Sequence, residues 1–460
     1  MSAKFSKFWS LRAQRSGAVY ERFRDMSEKY GSLVRIAPKL VLTTDPEVMR
    51  KAYAVRSPFT RSTWYRTFRF DPTRDNIASL RDNEVHRVLK AKMAPGYSGK
   101  ENEDLEARID GNITALVELI SSKYISSPTT HRPMDVADKI SYFTLDVIAD
   151  IAYGAPFGNL ATDTDVSGYV AMMEVQTPRI SIALVYPWLM SIPASPLFRF
   201  LLPSTKDAFG FGRLMGIAHT VVGERFGPDA KPRKDMLGSF VKNGLTQAEC
   251  ESEVLLQIMA GGDTTATAIR MTLFHLISTP AVLSKLLEEI READLPKDEI
   301  IKDVHARKLP YLQAVIKEGL RIYPPITGHM SKVVPEGGEH VSGHFLPAGT
   351  ELGVSVWGMQ HNKAYWGEDV GIFRPERFLE VDDARARDMT AVVDLIFSYG
   401  QWYCLGRQVA QIELNKVLVE LLRNFTFSIC YPVKPFESKG YGLFLQKNLW
   451  MRIEKRETKL

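Results

Sequence analysis

The spacing of apolar positions divides the chain into a strand-forming start, a long helical middle and a mixed end. Residues 33–36 and 41–44 are rich in apolar and β-branched side chains, which predicts two short strands. From about residue 82 to residue 323 apolar side chains recur at helical spacing, interrupted by charged, proline-bearing segments. Between residues 333 and 356 glycine and proline alternate with β-branched residues, which predicts short strands and turns. A helical pattern returns after Cys404.

This pattern predicts a mainly α fold with a minor β region. We expect the β-rich parts at about 30–60 and 330–360 and a helical remainder. No internal repeat, low-complexity tract or linker interrupts the sequence, so residues 1–460 are interpreted as a single domain.

One predicted helix is unusually long. Residues 246–249, Thr-Gln-Ala-Glu, form a capping box, and the next strong stop is Pro280. A helix of that length measures roughly 45–50 Å and must cross the core. Its middle reads Ala260-Gly-Gly-Asp-Thr-Thr, where each glycine costs about 1 kcal/mol relative to alanine. The glycines either let a ligand approach the helix or mark a kink between packed helices, while Asp263 and Thr264 bring proton-handling groups to the same level.

Composition narrows the function classes. Hydrophobic residues make up 45% and charged residues 25%, which excludes disordered and collagen-like chains. The net charge is +5 and the basic residues are dispersed, so we expect an acidic partner or a membrane face and no nucleic acid.

The longest uncharged stretch, residues 180–198, contains three prolines and cannot form a spanning helix. No signal-peptide core or run of about 20 apolar residues occurs elsewhere. The stretch is either a buried loop between helices or an apolar flap that touches lipid or admits substrate.

Three isolated cysteines exclude a disulfide scaffold and a zinc ribbon. Cys404 lies on a glycine-bearing loop just before a helix, where backbone N–H groups favour the thiolate. It is therefore a candidate nucleophile or iron ligand, the alternative being an inert buried thiol. Cys250 and Cys430 have no comparable context and are interpreted as inert.

Glu318 and Arg321 lie on one face of a helix that Pro310 opens and that ends before Tyr323. Arg377, from an irregular Pro-Glu-Arg-Phe segment, supplies a second arginine. Together they form either a clamp for the loop of Cys404 or, for the first two, an exposed surface pair.

Four motifs in this order resemble the cytochrome P-450 family of haem-thiolate monooxygenases. They are Ala260-Gly-Gly-Asp-Thr264, Glu318-x-x-Arg321, Pro375-Glu-Arg-Phe378 and Phe397-x-x-Gly400-x-x-x-Cys404-x-Gly406. The resemblance extends to residues 28–38 and is greatest to fungal microsomal members of the pisatin-demethylase-like group.

The resemblance implies a fold in which the long central helix crosses over haem b. It implies that Cys404 is the axial iron ligand, that Phe397 packs near its sulfur and that Gly406 permits close approach of the haem. Thr264 and Asp263 would be catalytic, holding dioxygen and relaying protons. Ala260 and Gly261 would leave room for dioxygen, and Glu318, Arg321 and Arg377 would form a buried clamp.

One position departs from the family pattern. Trp402 stands where the family usually has an arginine that grips a haem propionate. We therefore expect altered propionate contacts, with His86, Lys90 and Lys332 as the remaining partners. The lysines would make point contacts where arginine makes a fork.

The resemblance also implies a substrate, partners and a location. Most of the implied substrate contacts are apolar, so a lipophilic small molecule is expected, with Arg69 as a lesser candidate for pairing with an anionic group. The expected contacts are Phe68, Phe70, Leu256, Met259, Ile326, Thr327, Leu443 and Phe444.

Electrons would come from an NADPH-cytochrome P-450 reductase that docks on the cysteine side. Four basic residues would form that face, namely Lys90, Lys92, Arg407 and Lys416. Similar fungal proteins have an N-terminal membrane helix, so we expect a monomeric, anchor-deleted form of a protein on the cytosolic face of the endoplasmic reticulum membrane.

Hydroxylation or dealkylation of a metabolite is the leading prediction. Oxidative coupling, ring closure or desaturation would use the same motifs. A non-enzymatic thiolate-haem sensor is disfavoured by the Asp263-Thr264 pair, and a cysteine hydrolase is disfavoured because no histidine lies in a recognisable partner motif.

Overall fold

Helices dominate the computed structural model, which describes residues 5–71, 74–192, 202–293, 295–296 and 298–456. The last part of the uncharged stretch at residues 180–198, from residue 193 onward, lies outside the described residues. Within the described ranges the α-helices are α1 (Phe8–Arg15), α2 (Val19–Tyr30), α3 (Pro46–Tyr53), α4 (Asn83–Tyr97), α5 (Leu105–Lys123), α6 (Val136–Tyr153), α7 (Asn159–Thr162), α8 (Tyr169–Val185), α9 (Gly210–Gly223), α10 (Met236–Lys242), α11 (Gln247–Ser278), α12 (Pro280–Glu292), α13 (Asp303–Ala306), α14 (Pro310–Ile322), α15 (Val356–Gln360), α16 (Lys363–Trp366), α17 (Asp383–Asp394) and α18 (Arg407–Asn424).

Short strands form small sheets beside the helices. They are β1 (Leu33–Ala37), β2 (Leu40–Thr43), β3 (Thr60–Arg61), β4 (Met134–Asp135), β5 (Lys332–Val333), β6 (Glu339–Val341), β7 (His344–Leu346), β8 (Glu351–Val354), β9 (Phe425–Ile429), β10 (Glu437–Gly440), β11 (Phe444–Lys447) and β12 (Trp450–Lys455). The largest sheet has the order β1-β2-β8-β5-β3, with β2 parallel to β8 and the other pairs antiparallel.

The predicted strands near residues 33–44 and 333–356 are confirmed. The prediction of a helical remainder is wrong after Asn424, where β9 pairs with β12 and β10 pairs with β11. In β9 and β12 buried side chains alternate with more exposed ones, as in strands that have one face on a core.

The long helix α11 follows its sequence signals closely. Thr246 accepts a hydrogen bond from the N–H of Glu249, and the Glu249 carboxylate bonds back to the N–H of Thr246. The helix then runs for 32 residues without interruption and ends two residues before Pro280. Most of its side chains are buried, and α6, α9, α14 and α18 all pack against it. The predicted central helix is therefore confirmed.

The two glycines of α11 face helix α6. A Cβ atom on Gly261 would lie 3.1 Å from Ile148, and one on Gly262 would lie 2.9 Å from Leu145. Thr144 of α6 also donates a hydrogen bond to the carbonyl of Gly262 at 2.9 Å. The missing side chain of Gly261 therefore makes room for α6, and the interpretation that it leaves room for dioxygen stays a prediction. The helix passes through this contact as continuous α-helix.

Glu318, Arg321 and Arg377 form a closed, buried ion cluster. The Arg321 guanidinium donates two hydrogen bonds to the Glu318 carboxylate, at 2.7 and 2.9 Å, and Arg377 Nε donates a third at 3.0 Å. None of the three side chains is more than 2% exposed. The remaining N–H groups of Arg321 reach the backbone carbonyls of Gln360 and Val370, and Arg377 also contacts the Asp369 carboxylate at 3.3 Å. The three side chains are therefore buried together as predicted, and the alternative of an exposed surface pair is wrong, while a clamping role toward the loop of Cys404 stays a prediction.

Among the described residues, no single helix is both long enough and apolar enough to cross a bilayer. Helices α11 and α12 meet that requirement only when taken together, and the chain bends by 107° between them.

The clamp yields a prediction about stability. Glu318→Gln keeps the shape of the side chain but leaves the buried Arg321 guanidinium without a counter-ion and Arg377 with only the Asp369 carboxylate. We expect the free energy of unfolding to fall by about 3–5 kcal/mol, which urea denaturation of the holoprotein measures.

Glu84→Gln is the matched control, since Glu84 and Arg87 form an exposed helical pair with the same spacing. That variant should keep a nearly unchanged urea midpoint. Equal midpoints for Glu318→Gln and Glu84→Gln would contradict a structural role for the clamp.

Candidate active site

Cys404 lies where an irregular loop meets the first turn of α18. The loop contains two short 3₁₀ turns, Leu395–Phe397 and Gly400–Trp402, and α18 begins at Arg407. The Cys404 side chain retains accessible surface although burial shifts the pKa of its thiol, as expected for a cysteine at the wall of an internal cavity. A Cβ atom on Gly406 would meet only the Cys404 sulfur, at 3.9 Å, so glycine keeps the space beside the sulfur open.

The surroundings of the Cys404 sulfur favour the neutral thiol in one respect and the thiolate in others. Burial raises the pKa of the Cys404 thiol, while the backbone N–H groups of Gly406 and Arg407 and the charge of Lys90 oppose that rise. The helix terminus thus supplies the donors that the sequence predicts. A metal ion completes such a site, because a coordinating thiol is deprotonated.

Three contacts fix the cysteine loop. The N–H of Cys404 donates to the carbonyl of Phe397 at 2.9 Å, which closes the loop on itself. The ammonium group of Lys90, on α4, donates to the carbonyls of Gln401 and Tyr403 at 2.7 and 2.6 Å. Gly400 has a φ of +61°, and a Cβ atom there would lie 2.4 Å from the carbonyl oxygen of Tyr53. Only glycine permits this approach to the end of α3.

The middle of α11 presents its polar groups in different directions. Ala260 is exposed although Met259 and Gly262 beside it are buried, which indicates a cavity at this level of the helix. Thr264 Oγ1 donates to the carbonyl of Ala260 at 2.8 Å, so the hydroxyl lies on the same face. Asp263 instead faces α8.

On α8, the Tyr169 hydroxyl donates to Asp263 Oδ2 at 2.9 Å. Burial raises the pKa of Asp263 to about 6, against the lowering effects of this hydrogen bond and of Arg270. Tyr169 itself has a pKa above its usual range, chiefly because it is buried and also because Asp263 is near. Asp263 can therefore change protonation state near neutral pH.

A cluster of cationic side chains surrounds Trp402. The Lys332 ammonium lies 3.8 Å and the Arg61 guanidinium 4.0 Å from the centre of the Trp402 ring, and the His86 ring centre lies 4.2 Å away. We call Arg61, His86, Lys90 and Lys332 the cation cluster.

Three members of the cation cluster can lose their charge, and each has a pKa below its usual value. Burial, with the positive charge of Arg61, lowers the pKa of Lys332 to about 6. Burial and three neighbouring cations lower that of His86 to about 2. Burial also lowers the pKa of Lys90 to about 8, although Cys404 opposes the change. The cluster therefore disfavours further positive charge and favours an anion.

The donors of this cluster fit the carboxylates of a haem. His86 Nδ1, Lys332 Nζ and Arg61 Nε are buried and have no hydrogen-bond partner among the described residues. The cation cluster is joined to the cysteine loop through Trp402 and through Lys90, so an anionic edge and an iron ligand lie in one region. Haem b is a group with both requirements, because it has two propionates and takes a cysteine thiolate as axial ligand.

The predicted substrate residues have different surroundings in the structure. Ile326 and Leu443 are bridge partners, and the N–H of Thr327 bonds to the carbonyl of Gly442 at 2.8 Å. Phe68 contacts Trp64, and Phe70 contacts Phe211 of α9. Leu256 and Met259 are buried on α11.

Phe444 is instead a core residue. Its ring packs against Tyr20, Tyr323 and Trp357, and only 3% of its surface is exposed. The interpretation of Phe444 as a substrate contact is therefore wrong, because side chains in strand β11 alternate between the core and the opposite face.

Two further basic residues differ from expectation. Lys416 is completely buried and forms ion pairs with Glu106 and Asp110 of α5, so it cannot contribute to a reductase-facing surface. The Arg69 guanidinium is paired with Asp75 and is not available to an anionic substrate. Arg407 remains one-third exposed and pairs with Asp394.

Sequence reasoning missed Arg61 and Tyr169. Both act through contacts with residues far away in the chain, and neither belongs to a recognisable motif. The one local signal was the departure at Trp402, which predicted altered propionate contacts but named only His86, Lys90 and Lys332 as partners.

Comparison with known proteins agrees with this geometry. The cytochrome P-450 family model matches residues 5–450. The cytochrome P-450 monooxygenase ABA1 of Pyricularia oryzae is 44% identical over 463 residues, which cover 98% of this chain and 90% of that protein. The enzyme aba1 of Botryotinia fuckeliana is 41% identical over 99% of this chain and 90% of its own length. Pisatin demethylase of Fusarium vanettenii is 28% identical over 93% of this chain and 82% of its own length.

The relatives are fungal monooxygenases, and the described structure has the long helix and the cysteine loop that the family resemblance implies. The enzyme therefore works with a redox partner, a substrate and dioxygen. By its sequence match and its fold, the chain belongs to the cytochrome P-450 family and is a haem-dependent monooxygenase.

Proposed function

We propose that Cys404 is the axial ligand of haem b and that the enzyme inserts one oxygen atom from dioxygen into a C–H bond of a lipophilic small molecule. The observation that carries this proposal is the accessible Cys404 sulfur at the start of α18, with the N–H groups of Gly406 and Arg407 directed to it. These donors stabilise negative charge on sulfur and keep it directed into the enclosed space. We also propose that residues 1–460 form one domain, since a single buried apolar cluster runs from Tyr20 to Ile453.

When bound, the haem supplies the activation of dioxygen that the reaction needs. The contribution of the chain is to hold the cofactor and to manage protons. Lys90 fixes the cysteine loop through two carbonyls, and His86 and Lys332 offer buried donors to the haem carboxylates. Phe397 holds the loop closed by accepting the hydrogen bond of the Cys404 N–H.

Thr264 and Asp263 are the proposed proton-handling residues. Thr264 has a hydroxyl beside the exposed Ala260, where it can pass a proton toward dioxygen in the enclosed space. Asp263, with a pKa of about 6, can take up a proton from the α8 side and release it again at neutral pH. The Tyr169 hydroxyl orients the Asp263 carboxylate through the hydrogen bond that it donates.

The proposed substrate is apolar over most of its surface. The candidate contacts that remain after the correction of Phe444 are almost all aromatic or aliphatic, and the nearby Arg69 is neutralised by Asp75. Apolar burial alone can then drive binding. The relative pisatin demethylase is named for a demethylation. We therefore propose dealkylation, beside hydroxylation, as an outcome of the same C–H oxidation.

The proposed electron donor is an NADPH-cytochrome P-450 reductase, and the proposed location is the cytosolic face of the endoplasmic reticulum membrane. Lys7 of the N-terminal segment bonds to the carbonyl of Val185 at the end of α8, so the start of α1 adjoins that end. Phe8 and Trp188 on these two segments are 67% and 60% exposed. Such exposed aromatic side chains favour contact with a membrane surface.

The first prediction concerns the iron ligand. Reduced enzyme treated with carbon monoxide should show the strongly red-shifted Soret band of a thiolate-ligated haem. Cys404→Ser should lose that band, because serine supplies no thiolate. Cys430→Ser should retain it, and a red-shifted band in Cys404→Ser would exclude Cys404 as the ligand.

The second prediction concerns proton delivery. Thr264→Ala should lower the product formed per NADPH consumed by about tenfold or more, with hydrogen peroxide accounting for the lost electrons. Substrate binding should remain close to that of the wild type. Unchanged coupling between NADPH and product would rule out the proposed role of the Thr264 hydroxyl.

The third prediction concerns pH. Tyr169 stabilises the ionised form of Asp263, so Tyr169→Phe should raise the pKa of that carboxyl further above 6. The inflection in the pH profile of coupling should therefore move upward by about one pH unit and should disappear in Asp263→Asn.

Tyr153→Phe is a matched control, because Tyr153 is a buried tyrosine that donates to α11 at the carbonyl of Val254 and not to Asp263. Its pH profile should match the wild type. An unmoved or lowered inflection in Tyr169→Phe would contradict the assignment.

A further inference from the structure

Two buried basic side chains are direct neighbours across a pair of short strands. Arg61 of β3 and Lys332 of β5 are antiparallel partners, with side chains only 7% and 0% exposed. Like charges opposite each other destabilise a strand pair, and burial without a counter-ion adds to that cost. Among the described residues no carboxylate forms an ion pair with either side chain. The fold therefore keeps an electrostatic imbalance at this position.

Trp402 moderates this imbalance. Its ring lies within 4.0 Å of both cationic groups, measured from the ring centre, and Tyr65 and Tyr53 add further aromatic contacts at 4.2 Å from Arg61 and 4.8 Å from Lys332. An aromatic ring attracts a desolvated cation electrostatically. An arginine at position 402 would do the opposite, because it would add a second guanidinium charge to the same confined space.

The orientation of Arg61 is fixed from the other side. Its Nη1 donates to the carbonyls of Ile77, Ala78 and Leu80 at 3.0, 3.0 and 2.8 Å. Its Nε is buried and has no partner among the described residues. One edge of the guanidinium is thus anchored in backbone, while another donor is left for a ligand.

We propose that Arg61 is the guanidinium that binds a haem carboxylate in this enzyme, and that Trp402 is a positioning residue that holds Arg61 and Lys332 beside the haem. In the family pattern the cysteine loop supplies the arginine that holds the haem carboxylate. In this chain strand β3 supplies the guanidinium instead, and the loop supplies the Trp402 ring on which it stacks. The inference depends on haem binding and not on the proposed substrate or proton route.

The experiment measures haem loss from the holoenzyme to excess apomyoglobin, followed by the Soret absorbance. Arg61→Met should lose haem at least about tenfold faster than the wild type, because a charge-assisted hydrogen bond is removed. Arg66→Met is the matched control, since Arg66 is an exposed arginine in the adjoining turn, and it should not change the rate. The reduction potential of the iron should fall in Arg61→Met and stay constant in Arg66→Met.

Trp402→Arg separates this proposal from simple loss of packing. Although it restores the residue that the family pattern expects, it should accelerate haem loss, because two guanidinium groups then compete for one space beside Lys332. In the double variant Arg61→Met with Trp402→Arg the new arginine replaces the lost one, so haem loss should be slower than in either single variant. Additive acceleration in the double variant would overturn the proposal.

Arg61→Met also removes three bonds to backbone carbonyls, so it can fail to fold. Trp402→Phe and Trp402→Leu then decide the question, because both keep the carbonyl bonds of Arg61. The phenyl ring should retain haem nearly as well as the wild type, and the aliphatic side chain should lose it at least several times faster. Equal rates for these two variants, or slower haem loss in Trp402→Arg than in the wild type, would refute the role of Trp402.

Discussion

The fixed position of one sulfur atom is the constraint on which the rest of the structure depends. The loop before α18 has little regular secondary structure, so its shape cannot come from local hydrogen bonding alone. Helix α4 holds it through Lys90, the end of α3 abuts Gly400, and the β3–β5 pair surrounds Trp402. Each anchor comes from a different part of the chain. The whole fold is therefore needed to set the position of Cys404.

Buried charge is used in two different ways in this molecule. At Glu318 a carboxylate and two guanidinium groups complete one another, and backbone carbonyls and the Asp369 carboxylate accept from the remaining donors. That cluster is complete without a ligand. Around Trp402 the cations outnumber any anion and several donors have no partner among the described residues. Such an arrangement is stabilised when an anionic ligand binds the folded state, so cofactor binding and folding are thermodynamically linked there.

Local sequence signals predicted the elements whose boundaries have a local cause. The capping box at Thr246 and the stop at Pro280 delimit α11, and Pro310 opens α14. The strands β9 and β12 were missed although their side chains alternate in burial, because the preceding helical pattern was extended through them.

The motifs predicted the individual site residues but not their neighbours. Lys416 is buried because acidic side chains of α5 meet it, and Arg61 stacks on a ring more than three hundred positions later in the chain. Tertiary contacts of this kind leave no periodic trace in the sequence.

The central helix shows why the ambiguity of its two glycines could not be resolved locally. Successive residues in an α-helix point about 100° apart, so neighbouring positions address different surroundings. Ala260 and Thr264, one turn apart, share the accessible face; Asp263 turns to Tyr169 on α8. The glycines between them turn to α6. Because α6 can approach only where a side chain is missing, the glycines set the depth of α11 in the core, and that depth brings the carboxylate and the hydroxyl to the level of the enclosed space.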